Sequence, residues 1–453
     1  MIEVNHKIQR YESYKDSGIE WLGEIPEHWG IESFKNILTE RNEKNAPIRT
    51  KEILSLSIDK GVTLYAEKTT NLDRFKDDFS KYKLAHKGDL VFNSMNMIVG
   101  AVGMSDYFGC VSPVYYTYHG SQNNFYTTKF YEYLFRSKTV QGVLYSLGKG
   151  LMAIDRGDGK YNTLRLKVSR VDLRSMKLPF PNLSEQTQIV QFLNDKTTKI
   201  DEAISIKEQQ INLLKERKQI LIHRAVTQGL NPTVTLKDSG VEWIGEIPEH
   251  WEVKGLRYIA NSFPSNIDKH SKPIEKEVRL CNYTDVYKND YITDDMDLMI
   301  ATATVDQIKK FTLYKGDIVI TKDYETASDI AVPTYISEKL TSVVCGYHLS
   351  VIRPNPNMFG QYLFRALQCK AFNIQFELEA NGITRVGLGT SDMKKAKFLV
   401  PPLEEQKEIS AYIETASQKI ETAIGLKQQE IARLKEYKSS LINSVVMGKI
   451  KVS

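Results

Sequence analysis

The 453-residue sequence is 41% apolar, which suffices to fill the cores of two to four folding units and excludes a disordered chain. Lysine and arginine number 61 against 56 acidic residues, a net charge of +5 that is too small to signal a polybasic tail and is compatible with an anionic partner. Cys110, Cys281, Cys345 and Cys369 form no C-x-x-C pair, which argues against a disulfide framework or a zinc finger. The polar start MIEVNHKIQRYESYKD and the lack of any apolar run near ~18 residues lead to the expectation of a cytoplasmic chain without membrane contact.

In chain order, the first signal is Lys15 to Trp29, KDSGIEWLGEIPEHW. A mixed segment follows from Gly30 to Phe180, with strand-like runs at Asp89-Leu-Val-Phe and Val114-Tyr-Tyr-Thr-Tyr and a helical run from Phe130 to Ser137. The segment LPFPNLSEQTQIVQFL at Leu178 then opens a stretch free of proline, predicting a helix to about Gly229 whose start is marked by Ser184. The head returns at Lys237 to Trp251 as KDSGVEWIGEIPEHW, 222 residues on, changed only at Ile19/Val241 and Leu22/Ile244. A second mixed segment, Glu252 to Val400, holds Asp317-Ile-Val-Ile and Leu349-Ser-Val-Ile-Arg. FLVPPLEEQKEISAYI at Phe398 opens a second helix to about Gly448, with Glu404-Glu405 at its first turn. This divides the chain into 1–182, 183–229, 230–402 and 403–453. A period of this length is a duplicated domain pair and not a solenoid, whose repeats run ~20–50 residues.

Steps of four and three residues from Leu193 meet Thr197, Ile200, Ile204, Lys207, Ile211, Leu214, Lys218, Leu221 and Ala225. The same steps from Ile413 meet Ser417, Ile420, Ile424, Lys427, Ile431, Leu434, Lys438, Leu441 and Val445, matching even at the lysines. Such a seam predicts that the helices pair as a coiled coil; the alternative is two amphipathic helices, each lying on its own domain. At 1.5 Å per residue each helix is roughly 65 Å long. A parallel pair would require the connection to run back nearly extended, which Asn231-Pro232 and Ile247-Pro248 oppose, so the expectation is antiparallel pairing with the globular segments at opposite ends of a rod.

Heads and helices match between the halves while the middles share little beyond KGDL at Lys87 and KGDI at Lys315. Two like surfaces suggest two copies of one partner, and two unlike middles suggest two different targets on a linear ligand such as DNA. With its two head motifs and its LSEQ and LEEQ helix starts, the sequence resembles the specificity subunit of type I restriction-modification systems over nearly its whole length. The resemblance implies an α+β fold: two mixed α/β target-recognition domains separated by a long antiparallel two-helix coiled coil, in a pseudo-twofold internal repeat. It implies binding to double-stranded DNA at an asymmetric bipartite target, with two modification (methyltransferase) subunits and with restriction (translocase/nuclease) subunits as partners. No catalytic centre, cofactor or metal is then expected in this chain; S-adenosylmethionine, ATP and Mg belong to the partners. A stand-alone DNA-binding regulator and a coiled-coil scaffold are the rival classes.

Features of catalysis point the same way. No G-x-x-x-x-G-K-[ST] loop occurs, and Gly157-Asp158-Gly159 and Gly387-Leu388-Gly389 lack the third glycine of a dinucleotide fold. Asp238 with Glu252-Val253-Lys254 is similar to a nuclease pattern, but the first copy reads Gly30-Ile31-Glu32 there. His28 and His250 have no nucleophile beside them, so packing or partner contact is the expectation, shared with Trp21, Trp29, Trp243 and Trp251.

Base edges are read by Arg or Lys at guanine and Asn or Gln at adenine, from loops that reach a groove. The first segment offers Asn93, Ser94 and Asn96 after KGDLVF, and a Gly-rich stretch with Lys149, Arg156, Lys160, Tyr161, Asn162 and Arg165. The second offers Lys322 and Tyr324 after KGDIVI, and Asn381, Thr384 and Arg385. These are candidates by loop, since any one of them could equally be a solvated polar side chain.

Overall fold

The computed structural model describes residues 9–68, 78–120, 124–150, 166–382 and 385–452. Its contacts divide the chain into one unit of Met1–Lys207 with Gln429–Ser453 and another of Glu208–Gln428. The long helices run Leu183–Gln228 and Leu403–Val446, so each contributes one part to either unit.

The seam expected from the sequence is the buried face of both helices. Leu193, Thr197, Ile200, Ile204, Ile211 and Ala225 are buried on the first, and Ile413, Ser417, Ile420, Ile424, Ile431, Leu441 and Val445 on the second. Each buried isoleucine contributes on the order of 1.5–3 kcal/mol, and repetition at heptad spacing makes the pairing cooperative. Three seam lysines reach acids of the facing helix: in the first unit Lys438 to Asp201 at 2.6 Å and Lys207 to Glu430 at 2.6 Å, in the second Lys218 to Glu421 at 3.0 Å. Rising numbers on one helix meet falling numbers on the other, so the pair is antiparallel, as the connection length predicted. The cap of the first helix differs from expectation: Asn182, not Ser184, accepts the Glu185 amide at 2.9 Å, because the helix begins one residue earlier, at Leu183.

The two mixed bodies share a framework that their sequences hide. In the first unit an antiparallel sheet runs in the order Leu38–Glu40, Tyr115–Gly120, Leu90–Asn93, Val102–Met104. In the second, Ala260–Pro264, Leu349–Pro354, Ile318–Thr321 and Pro333–Ile336 take the same order, extended by Tyr291–Ile292 in parallel. The second strand supplies core side chains in both bodies, Tyr116 and Tyr118 or Leu349, Val351 and Ile352. The shared KGD explains itself here. Asp89 receives the His86 amide at 2.8 Å and Arg41 Nε at 2.7 Å, while Asp317 receives the Tyr314 amide at 2.9 Å and Arg353 Nε at 2.8 Å. Each buried carboxylate thus closes the turn before its strand and holds an arginine, Arg41 just past the edge strand Leu38–Glu40 and Arg353 in the adjoining strand Leu349–Pro354, so the triplet is structural. The second body adds a three-stranded sheet, Met299–Ala303, Lys276–Cys281 and Val343–Cys345, with a core of its own around Val278, Leu280, Ala301 and Val344.

Candidate nucleic-acid interface

Each head is a small hairpin clasped to its helices. Tyr14–Asp16 pairs with Glu24–Pro26, and Leu236–Asp238 with Glu246–Pro248, in matching register. Asp16 and Asp238 accept the amides of Gly18 and Gly240 at 2.9 Å, which makes each the turn residue of its own copy. The helix-start glutamates hold the heads. Glu185 accepts Tyr11 Oη at 2.6 Å and His28 Nε2 at 2.8 Å; Glu405 accepts His250 Nε2 at 2.8 Å and Trp251 Nε1 at 3.1 Å. Gln186 and Gln406, both buried, donate to the carbonyls of Pro181 and Pro401 at 2.8 Å. The Glu of LSEQ and LEEQ is therefore the lock between head and helix, and the Gln ties the first turn of the helix to the segment that enters it.

The expectation of partner contact needs correcting for two residues. Trp29 and Trp251 are at 0% exposure, packed under their own heads, so their indoles are core groups. Their rings reach the ends of the opposite helices: a Cβ on Gly448 would lie 3.2 Å from Trp29, and one on Gly229 would lie 3.2 Å from Trp251. Trp243 is half exposed and Trp21 partly so, and His28 and His250 keep about half of their side chains open, at 51% and 47%.

The recognition loops close in pairs, by the same main-chain pattern in both bodies. In the first, Val168 N donates to Ser94 O at 3.1 Å, and Lys149 and Lys167 exchange bonds at 3.0 and 2.9 Å. In the second, Leu388 N donates to Lys322 O at 2.9 Å, and Asn381 and Gly387 exchange bonds at 3.0 and 2.9 Å. The loops paired by sequence reasoning are thus brought together at their bases.

Side chains within these loops divide. Ser94 is buried and Asn93 nearly so; Asn93 Nδ2 donates to Tyr115 Oη at 3.3 Å and its Oδ1 accepts the Met95 amide at 3.1 Å. Both shape the turn, contrary to the expectation of base contact, because the strand ends one residue later than the loop was placed. Asn96 is exposed, as is Lys149, which lies 3.4 Å from Asp172 Oδ2. Arg156, Lys160, Tyr161, Asn162, Arg165 and Thr384 lie outside the described residues. In the second body Asn381 is exposed, its amide donating to the Glu379 carbonyl at 2.7 Å. Lys322 Nζ stands 5.1 Å over the Tyr347 ring. Tyr324 stacks on Tyr283, with centroids 4.8 Å apart and planes 7° apart, and Tyr287 adds a third near-parallel ring. Burial pushes the Tyr283 hydroxyl up, and the hydrogen bond to Asp329 does the same for Tyr287, so both are neutral donors. Arg385 pairs with Asp323 at 3.0 Å.

Tyr283, Tyr287, Tyr347 and His348 escaped the sequence reading. Tyr283 and Tyr287, four apart in the helix Tyr283–Lys288, gave a usable signal of a shared face; Tyr347-His348 gave none.

A family model described as the type I restriction modification DNA specificity domain matches residues 248–435. Similar over nearly the whole length is a putative type I restriction enzyme specificity subunit, MjaX, of Methanocaldococcus jannaschii, 25% identical over 471 aligned residues, covering 95% of this chain and 96% of that protein. The chain is thus similar to type I restriction-modification specificity subunits over nearly its whole length, and its residues 248–435 match their DNA specificity domain. The MjaVIII specificity subunit of the same organism is 23% identical over 294 residues, 63% of this chain and 64% of its own length. In fold, the chain matches one solved in a study of complex assembly and conformational transition of the type I R-M system, with a TM-score of 0.65 at 14% identity, covering 93% and 98% of the two chains. The described residues show two mixed helix-and-strand bodies and a long helix pair, a fold likeness to that chain. Among the described residues no helix is long and apolar enough to cross a membrane.

Proposed function

We propose that this chain is the DNA sequence-reading subunit of a type I restriction-modification complex. It binds an asymmetric bipartite target in double-stranded DNA and directs adenine methylation and cleavage carried out by its partners. The observation that carries the reading is a common framework with unlike loops. Both bodies close a paired loop at the same two main-chain positions, yet one presents Asn96 and Lys149 while the other presents a tyrosine stack, Lys322 and Arg385. One framework holding different polar and aromatic groups is what reading two different half-sites requires.

Two modification subunits then bind the two heads, where Trp21 and Trp243 offer partly open indoles and His28 and His250 keep about half of their side chains open. Restriction subunits join that assembly. S-adenosylmethionine, ATP and magnesium serve the partners, and this chain contributes recognition and no catalytic group.

The test is co-expression with the neighbouring modification subunit and single-molecule sequencing of methylated adenines. A split, asymmetric motif that depends on this chain is the expected result. Tight specific binding by the isolated chain would favour a stand-alone regulator, and a stable complex without DNA preference would favour a scaffold.

A further inference from the structure

Arg385 stands where the second loop of the second body returns to the strand Val386–Gly387. Its Nε lies 3.0 Å from Asp323 Oδ1, the oxygen that also lies 2.6 Å from His348 Nδ1, and Lys322 Nζ is 3.8 Å from the other oxygen. Asp323 is fixed in turn by strand pairing with Gly387. Gly382 has φ +151°, and a Cβ there would fall 1.9 Å from the Arg385 carbonyl oxygen.

An arginine tied down through Nε keeps its two terminal nitrogens as a planar fork, and these have no partner among the described residues. Half of the side chain, 50%, is open to solvent beside the stacked rings of Tyr283 and Tyr324. A free, oriented fork matches the O6 and N7 acceptors on the major-groove edge of guanine. A phosphate contact needs only positive charge and gains nothing from an orienting carboxylate, whose own charge opposes the phosphate.

We propose that Arg385 reads a guanine in the half-site of the second recognition body, with Asp323 as the positioning residue that aims it. The inference rests on the DNA-reading function above and adds to it one base and one side chain.

The experiment uses the full chain co-expressed with its modification subunit. Once the wild-type motif has been sequenced, complexes carrying wild type, Arg385→Ala or Asp323→Asn methylate substrates bearing each base in turn at every half-site position. Arg385→Ala should lower the preference for guanine at one position by roughly 5- to 150-fold and leave the other half-site unchanged. Asp323→Asn should relax the same position less and no other, a position-specific effect that a merely structural carboxylate would not give. Uniform weakening on all sequences, with a salt dependence lower by about one phosphate, would mark a phosphate contact and overturn the inference. A wild-type motif with no G·C pair in the half-site read by residues 252–400 overturns it too. Methylation without any bipartite motif would sink the functional reading itself, whereas a bipartite motif indifferent to Arg385→Ala sinks this inference alone.

Discussion

Removal of the Glu414 carboxylate should destabilise the second unit more than removal of its arginine partner. Arg365 is 1% exposed, and its guanidinium is satisfied by Glu414 Oε1 at 2.8 Å from Nε and 2.5 Å from NH2, by Tyr291 Oη at 2.8 Å, and by Gln368 Oε1 at 2.5 Å. Glu414 lies on the second long helix and Arg365 on the helix Gly360–Gln368, so the pair bolts the recognition body to its helix. Glu414→Ala takes the nearer of two carboxylates from a buried cation and leaves Asp290 at 3.6 Å; breaking a buried pair costs about 3–5 kcal/mol, and with Asp290 remaining and the Glu414 side chain 31% open to water, the lower end applies. At ~2–4 °C per kcal/mol for a unit of this size, the midpoint should fall by roughly 6–12 °C. Glu414→Gln keeps the acceptor and loses the charge, for about 1–2 kcal/mol. Arg365→Met should cost less than Glu414→Ala, because the stranded carboxylate reaches water and keeps the Tyr291 hydroxyl at 2.5 Å. Scanning calorimetry of the full chain with Arg365→Met, Glu414→Met and the double variant completes the cycle. The double variant should lie nearer wild type than Glu414→Met alone. A Glu414→Ala shift below about 1 °C, or a larger loss for Arg365→Met, would refute the argument.

Gly448 and Gly229 end the two long helices at φ +72° and +74°. Gly448 sits in a Schellman turn, with Lys449 N bonded to Ser444 O at 2.8 Å, and its Cβ would fall 2.4 Å from Pro26 Cδ against 3.2 Å for the nearest atoms to Gly229. Gly448→Ala should therefore cost about 2–3 kcal/mol and Gly229→Ala about 1–2 by thermal melting, and the reverse order would contradict the packing. All four cysteines are buried. Burial pushes the Cys110 thiol up to about 11 from its ordinary 9, so it stays protonated in the fold. A thiol reagent at pH 8 should label none of the four before unfolding; one fast native thiol would refute this. The linked stability is complete below pH about 9 and fades as the pH rises towards about 11, because only the unfolded thiol ionises in that window.

Much of the architecture was legible because it is periodic or repeated. The seam from Leu193 to Ala225 and its copy from Ile413 to Val445 gave the helices, their buried faces and, through the short connection, their direction. The pairing of loops after KGDL and KGDI was legible too, since equal placement in two copies is evidence that one copy lacks. Burial within those loops was not: Asn93, Ser94, Trp29 and Trp251 have the side chains of contact residues and are core groups or turn formers. A polar residue at the end of a strand and an aromatic residue after a turn look alike in sequence whether they face water or a neighbouring helix.

Sequence by itself determined the duplication, the heptad register, the shared heads and the divergence of the middles, because each is a relation between residues at fixed spacing along one chain. Tertiary structure alone decided the common strand order under dissimilar sequences, the Glu185 and Glu405 clasps, and the triad of Arg385, Asp323 and His348. The members of that triad are separated by up to 62 positions and are joined only where Asp323–Tyr324 pairs with Val386–Gly387. Contacts of that kind are set by which strands close the sheet, and local spacing carries no record of them.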